Sequence, residues 1–441
     1  MEEKTRQYAE KLARMIREDT ISDLFENAGK TFPNFHTLLR ELFPGVFSVC
    51  TCEVIDGALL LCWKGRDSGK QPVLLMNHHD VVEAPGAWTH PPFAGEIHDE
   101  KLWGRGTLDT KGGLFCMLQA AEELIAEGYQ PAQDVWFESS CTEETTGTSA
   151  QAAVAWLKSR GLHFDWILDE GGMIVYDPIG GADGTFAMVG VGEKGCADLK
   201  FIAESKGGHA SAPGKNSPLV RLGKFMAACE RLPLFKSEIN PVTREMFHRL
   251  SPTMDKKLGK VLDNKAFDGI LSQLLPSFSD TAGAMVKTTL AFTMAGGSEG
   301  TNVMPQEAWV VGNMRFSHHQ GRKNSFHVVE RLAKRYGIRM EILDGGVESP
   351  VSDFRSDAFG LVERAVSAVF PGVITAPYIT NTASDARFFG SLSENCLRFV
   401  PFRISDEQLA SIHGLDENVD LAALAPAVAF YKYMIRENEN E

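Results

Sequence analysis

The sequence predicts an α/β protein interrupted by a smaller α+β unit, and three observations carry that prediction. From residue 72 short apolar runs alternate with stretches of helical period, the pattern of a strand–helix sheet. Near Gly190 this gives way to alternating strands with interposed helices, and near residue 347 the first pattern returns. At 441 residues the chain is also longer than one hydrophobic core ordinarily serves. The expected units are 1–191, an insert at 192–347, and a return at 348–441.

Each element follows from local pattern. In the charged N-terminal stretch, Tyr8, Leu12, Met15 and Ile16 fall at helical spacing and predict an amphipathic surface helix. Val73–Met76 is an apolar strand ending at Asn77, His78, His79 and Asp80. After Asp109, Leu114, Met117, Leu118, Ala121, Leu124 and Ile125 repeat at helical period, and Gly128 closes the helix. Asp134–Ser139 reads as a strand and Ala152–Leu157 as part of a helix stopped by Gly161. Trp166–Leu168 is a third strand, ending at Asp169, Glu170, Gly171 and Gly172. This alternation implies a largely parallel sheet. Within the insert, strands are expected at Ala197–Ile202, Thr288–Met294, Trp309–Phe316 and Arg339–Leu343. Helices are expected at Pro218–Arg231, around Lys256–Leu275 and at Ser325–Tyr336.

Composition excludes several classes. The formal charge is −14 and no cluster of Lys and Arg is present, so a nucleic-acid partner is not expected. No apolar leader segment and no membrane-length run occurs, so neither secretion nor a membrane partner is expected. The eight cysteines are scattered and mostly in apolar contexts, as free thiols of a reducing cytoplasm would be.

Acidic and His residues cluster where strands end. His78 and Asp80 follow one strand, Glu143 and Glu144 a second, Asp169 and Glu170 a third. In an open α/β sheet the ligand crevice lies beyond the carboxyl ends of the strands, so the three clusters should converge. Asp109 joins them from a turn rich in glycine (Gly104, Gly106, Gly112, Gly113). A neutral imidazole is a good zinc ligand whose second N–H needs an acceptor, and Asp80 is placed to provide it. Asp109 has two oxygens with which to bridge two cations. Adjacent Glu143 and Glu144 suit a division of labour, one binding metal and one moving a proton. Each feature alone has an ordinary explanation, a loop His or a solvated helix start. Their recurrence on successive strand ends points to a metal site.

Five motifs in order resemble one family. They are His78-x-Asp80-Val81-Val82, Trp103-Gly104-Arg105-Gly106-x-x-Asp109-x-Lys111-Gly112, Glu143-Glu144, Asp169-Glu170-Gly171-Gly172 and His413-Gly414-x-Asp416-Glu417. The family is that of aminoacylase, carboxypeptidase S, glutamate carboxypeptidase and succinyl-diaminopimelate desuccinylase. The resemblance implies a zinc-exopeptidase-like catalytic domain carrying an inserted ferredoxin-like α+β lid that also dimerises. It implies two zinc ions, with manganese or cobalt as alternatives, held by His78, Asp109, Glu144, Asp169 and His413. Asp169 is the choice in carboxypeptidase S-like members; relatives with Glu in this region leave Glu170 open. Glu143 would be the general base, and Asp80 would orient His78. His209, in Gly207-Gly208-His209-Ala210-Ser211, would steady the oxyanion of a partner subunit. Asn302 and Arg315 would hold the substrate's terminal carboxylate. Asp385 and Arg387 match a substrate-proximal motif, Gly-Gly-Thr-Asp-x-Arg in relatives, whose two glycines are here Thr382 and Ala383, which bears on substrate choice.

The implied activity is hydrolysis of an amide bond in a small peptide, by a carboxypeptidase or dipeptidase, or in an N-acyl amino acid. A non-catalytic metal-binding relative would lack the base or a ligand, and this chain has both. Two other motifs lead nowhere. Gly190–Gly195 fits a dinucleotide fingerprint, but a strand-like run follows where a helix is required. Gly296–Gly300 fits a serine-hydrolase elbow, but again no helix follows.

Overall fold

A computed structural model describes residues 3–22, 30–67, 69–278 and 280–436. Among these, a nine-stranded sheet forms the main body. In spatial order its strands are Thr51–Ile55, Ala58–Trp63, Val135–Ser139, Val73–Met76, Ile167–Asp169, Cys396–Arg398, Thr185–Glu193 and Ile374–Thr380. Ile174–Tyr176 pairs with Thr185–Glu193 off this path. Period-two alternation sorts side chains to the two faces. Leu59, Leu61, Trp63, Val73 and Leu75 enter one core, while Leu60, Cys62, Leu74 and Met76 enter the other. The first core is closed by helices Glu3–Arg17, Pro33–Leu42, Lys111–Ala126, Asp357–Val369 and Leu421–Arg436. The second is closed by Thr148–Ser159 and the short Ala386–Phe389. Tyr8, Leu12, Met15 and Ile16 of the N-terminal helix are fully part of the first core, so only the charged face of that helix meets solvent.

The sheet is mixed, not largely parallel. Val73–Met76 runs parallel to both neighbours, and Ile167–Asp169 is parallel to Cys396–Arg398. Antiparallel pairing enters on one side through the hairpin of Thr51–Ile55 with Ala58–Trp63 and the pairing of the latter with Val135–Ser139, and on the other through Thr185–Glu193, which is antiparallel to Ile174–Tyr176 and to Cys396–Arg398. The hairpin turns on Asp56 and Gly57, both at positive φ (49° and 82°). Asp-Gly between apolar runs is a hairpin signal in its own right.

A second, four-stranded antiparallel sheet has the order Thr289–Gly296, Glu307–Phe316, Gly195–Glu204, Arg339–Asp344. With helices Pro218–Arg231 and Arg322–Arg335 the chain runs β-α-β-β-α-β, the split βαβ plan of ferredoxin-like units. Part of the expected insert does not join this core. Met246, Phe247, Leu250, Met254, Leu262 and Leu271 pack on Phe186, Met188 and Ala376 of the main sheet. Their apolar stripe is buried by the first body, although residues 241–275 lie between strands of the second.

Phe247 is 2% exposed. Phe247→Ala is expected to destabilise the fold by about 3–5 kcal/mol, as large-to-small changes in a packed core do. Hydrogen exchange should show the loss in Thr185–Glu193 and Ile374–Thr380 and spare the four-stranded sheet; the reverse pattern would assign the segment to the second body.

Candidate functional site

The three parallel strands Val73–Met76, Val135–Ser139 and Ile167–Asp169 end at one edge of the main sheet. Their next residues are His78 to Asp80, Ser140 to Glu144, and Glu170 to Gly172. The glycine-rich turn before helix Lys111–Ala126 brings Asp109 to the same edge. A Cβ on Gly112 would lie 2.1 Å from the Thr107 carbonyl oxygen, and one on Gly113 2.2 Å from Asn77 Oδ1, so this turn closes only with glycine there. The Asp109–Thr110 peptide is cis. His413 arrives from the far end of the chain in the left-handed region (φ 58°), an uncommon conformation for a non-glycine residue.

Asp109 stands between two imidazoles. Its Oδ1 is 3.0 Å from His78 Nε2, and its Oδ2 is 3.1 Å from His413 Nε2. His413 Nε2 is also 3.1 Å from Glu144 Oε2. Ligand atoms of His78, Asp109 and Glu144 all lie within 4.8 Å of one another. His78 Nδ1 donates to the main-chain carbonyl of Asp80 at 2.9 Å. That bond directs the lone pair of a neutral His78 from Nε2 toward a carboxylate oxygen, and two acceptors at 3.0 Å need a cation or a proton between them. Oxygen and nitrogen atoms bound about 2.0–2.2 Å from one tetrahedral ion sit roughly 3.3–3.6 Å apart, close to the spacings here. The donor set of imidazoles and carboxylates suits zinc, manganese or cobalt.

Charge is concentrated at this edge. Burial drives the Glu143 carboxyl well up, with Asp385 and Glu144 adding repulsion against His78 and Arg387. Burial and the neighbouring Asp109 push Glu144 to about 7. Burial, then Asp109, Asp169 and Glu143, push Glu170 well up. Hydrogen bonds to Asp109 and Glu144 raise His413 to about 10. For His78 burial works against the cation, yet Asp109 and Asp80 carry it well above the ordinary imidazole range. Burial thus disfavours charge on Glu143, Glu144 and Glu170, while against burial the flanking imidazoles hold the Asp109 carboxyl well below the usual carboxylate range; a bound cation would favour the ionised form of each carboxylate.

The residues expected from sequence fall into two groups. His78, Asp80, Asp109, Glu143, Glu144 and His413 come together. Asp80 turns its carboxylate chiefly to main-chain donors: Glu143 N–H at 3.2 Å and Glu144 N–H at 3.1 Å. Its Oδ1 is 3.4 Å from His78 Nδ1, farther than its own carbonyl oxygen. The extended segment places both oxygens on the same side as the ring, so Asp80 ties His78 to the Glu143–Glu144 pair. Asp169 accepts N–H bonds from Glu170 (2.9 Å) and Ala386 (2.7 Å), while the Glu170 carboxylate feels Asp109 most strongly among its neighbours. Arg387 Nη1 is 3.3 Å from Glu143 Oε1. Asp385 is 2% exposed, and its Oδ2 accepts a hydrogen bond from Ser140 Oγ, which braces it beside the site.

His209, Asn302 and Arg315 lie in the second body. Among the described residues no hydrogen bond or ion pair joins them to the cluster. His209 sits in the two-residue strand Gly208–His209, opposite Val303, and its Nδ1 accepts the Ser211 N–H at 3.1 Å. The ring proton is thereby assigned to Nε2. The Asn302 carbonyl accepts the Ala210 N–H beside it. Arg315 Nε donates to Asn313 Oδ1 at 3.1 Å, and its buried Nη1 has no partner among the described residues. Gly190–Gly195 spans the end of one strand and the start of the next, with no helix.

Two residues that matter here drew no role from sequence. Glu417 Oε1 accepts the N–H groups of Leu108 (2.8 Å) and Asp109 (3.1 Å), and its Oε2 accepts Gly106 N–H and Arg105 Nη1. Arg105 Nη2 donates to the Gly414 carbonyl at 2.8 Å. This buried pair holds the Asp109 turn against the His413 segment. Both residues stand inside the quoted motifs, and a charged residue beside a glycine-rich turn was the available signal.

Comparison with known proteins agrees with this geometry. Residues 74–437 match the model of peptidase family M20/M25/M40. A probable carboxypeptidase S-like 2 of Dictyostelium discoideum is 31% identical over 443 residues, covering 98% of this chain and 85% of the relative. The N-fatty-acyl-amino acid synthase/hydrolase PM20D1 of Homo sapiens is 30% identical, covering 98% of this chain and 88% of the relative. The M20 family metallo-carboxypeptidase Sso-CP2 from Sulfolobus solfataricus shares the fold, with a TM-score of 0.72 at 16% identity over 99% of each chain. Five ordered motifs, their convergence on one sheet edge and a match spanning most of the sequence lead to one conclusion: the chain belongs to peptidase family M20/M25/M40 and is a metal-dependent hydrolase of amide bonds.

Proposed function

We propose that this protein is a dinuclear exopeptidase of the carboxypeptidase or dipeptidase type, cleaving the amide bond before a residue with a free carboxylate. The observation that carries the reading is Asp109 held between His78 and His413, with Glu144 on His413 and Glu143 alongside. His78, Asp109, Glu144, His413 and one of Asp169 and Glu170 would hold two ions, zinc by preference. Such ions polarise a carbonyl and acidify water. Glu143 takes the proton of the attacking water and passes it to the leaving amine. Its burial keeps that proton affinity high, and Arg387 keeps the carboxylate in place. Asp80 orients His78 and the Glu143–Glu144 backbone together. His209 offers its Nε2 proton to the oxyanion from a lid, in the second subunit of a homodimer. Arg315, with an unpartnered buried Nη1, and Asn302 bind the terminal carboxylate.

Kinship to the N-fatty-acyl-amino acid synthase/hydrolase favours a second reading with the same chemistry, in which the acyl part is a fatty chain. Both substrates present an amide next to a free carboxylate, so the readings differ in the acyl pocket alone. The eight unpaired cysteines fit a reducing compartment, the cytoplasm. No described helix is long and apolar enough to cross a membrane.

Metal-stripped protein should be inert toward dipeptides, N-short-acyl and N-fatty-acyl amino acids, and added zinc should restore cleavage of one class. Activity independent of metal would overturn the reading, and the preferred class separates peptidase from acylase. Glu143→Ala should lower kcat by about 10²–10⁴-fold, the usual worth of a general base, while bound metal stays at the wild-type level. Loss of metal along with turnover would make Glu143 a ligand. Mixed Glu143→Ala and His209→Ala subunits should regain activity that neither homodimer has; proven heterodimers without recovery would place His209 outside a shared site.

A further inference from the structure

Beyond the ligand cluster, one fully buried carboxylate governs where Arg387 sits. Glu193 is 1% exposed and is the last residue of strand Thr185–Glu193, just before the chain leaves the main sheet. Its Oε2 accepts three hydrogen bonds: Ser384 N–H at 3.0 Å, Ser384 Oγ–H at 3.0 Å and Arg398 Nε–H at 3.1 Å. Arg398 is itself fully buried and spends its other donors on the Cys396 carbonyl (2.7 Å) and Ser349 Oγ (3.1 Å). Ser384 is therefore clamped by main chain and side chain at once. Its carbonyl oxygen then accepts Arg387 Nη1 at 2.7 Å, and the same Nη1 reaches Glu143 Oε1 at 3.3 Å. Two residues beyond Ser384, Ala386 N–H meets Asp169. The adjacent Lys194 N–H bonds the Thr380 carbonyl, pinning the crossover to the start of the same loop.

We propose that Glu193, clamped by Arg398, is a positioning residue for the reaction: through Ser384 it fixes the guanidinium of Arg387 against Glu143. The inference rests on the reading of Glu143 as general base. A buried ion pair contributes little net stability, since desolvation offsets its attraction, and its best-attested use is to specify one arrangement. An arginine left to choose among rotamers would place Nη1 on Glu143 only part of the time. The Ser384 carbonyl removes that freedom, and Glu193 orients the carbonyl.

The experiment separates positioning from folding. Glu193→Gln leaves Arg398 without its counter-charge and risks misfolding, so the principal variant is Ser384→Ala, which keeps the ion pair and removes one bond of the clamp. In metal-loaded protein, Ser384→Ala should lower kcat by about tenfold, equal to 1.36 kcal/mol of barrier, with KM, metal content and melting temperature unchanged. Solvent exchange of the Arg387 guanidinium protons, followed by nitrogen-15 NMR in metal-free protein, should speed up about tenfold, as expected if opening is eased by a comparable free energy. In an Arg387→Ala background, Ser384→Ala should change kcat less than twofold, because coupled residues are not additive. Unchanged guanidinium exchange, or an equal loss with and without Arg387, would overturn the proposal. Turnover retained in Glu143→Ala would instead remove the base assignment, and the exchange measurement would still decide whether Glu193 and Ser384 position Arg387.

Discussion

Everything at the working edge of this protein depends on keeping like charges together. Asp80, Asp109, Glu143, Glu144, Asp169, Glu170 and Asp385 meet at the end of one sheet, largely out of water. Repulsion between carboxylates a few ångströms apart is costly where the dielectric is low. The fold offsets it with specific partners. Two imidazoles flank Asp109, main-chain N–H groups hold Asp80 and Asp169, and Arg387 faces Glu143. In the space bounded by His78, Asp109 and Glu144 the ligand atoms lie within 4.8 Å of one another, and the crowding of carboxylates around it favours a cation there.

Much of this was readable from the residues. Apolar runs at Val73–Met76, Val135–Ser139 and Ile167–Asp169 are short, buried on both faces and followed at once by polar ligating residues, so strand identity and site position came from one pattern. The helix at Pro218–Arg231 begins and ends where Pro218 and the loss of period place it. Sheet direction was less legible. Strand pairing is a long-range choice that local periodicity does not encode, and the antiparallel entry depended on reading Asp56-Gly57 as a hairpin turn. The helices between residues 241 and 286 were assigned by sequence position to the insert, whereas their apolar faces select the nearest unfilled surface, around Phe186 and Ala376.

Site residues divide along the same line. Those next to strand ends lie side by side because topology forces them together. The bond from Ser140 to Asp385 is a tertiary fact with no local signature. The choice between Asp169 and Glu170 turns on side-chain direction at a strand end, where successive residues point to opposite faces. Glu193 and Arg398 were invisible for a similar reason: each is an ordinary charged residue in a strand until the two are seen to share a buried contact.

The tie between Glu417 and the Asp109 turn has a consequence for how the protein comes to exist. Residues about three hundred apart in the chain share four hydrogen bonds, and His413 reaches its place beside Asp109 as part of the same segment. During synthesis His78, Asp109 and Glu144 are joined to the chain long before residue 413 is. Until then the partial site lacks an imidazole and the carboxylate that shapes its turn. Contacts this distant in sequence form late and slowly. A half-made chain therefore presents the acidic residues of this edge without the imidazole of His413 and the Glu417 carboxylate that pack against them.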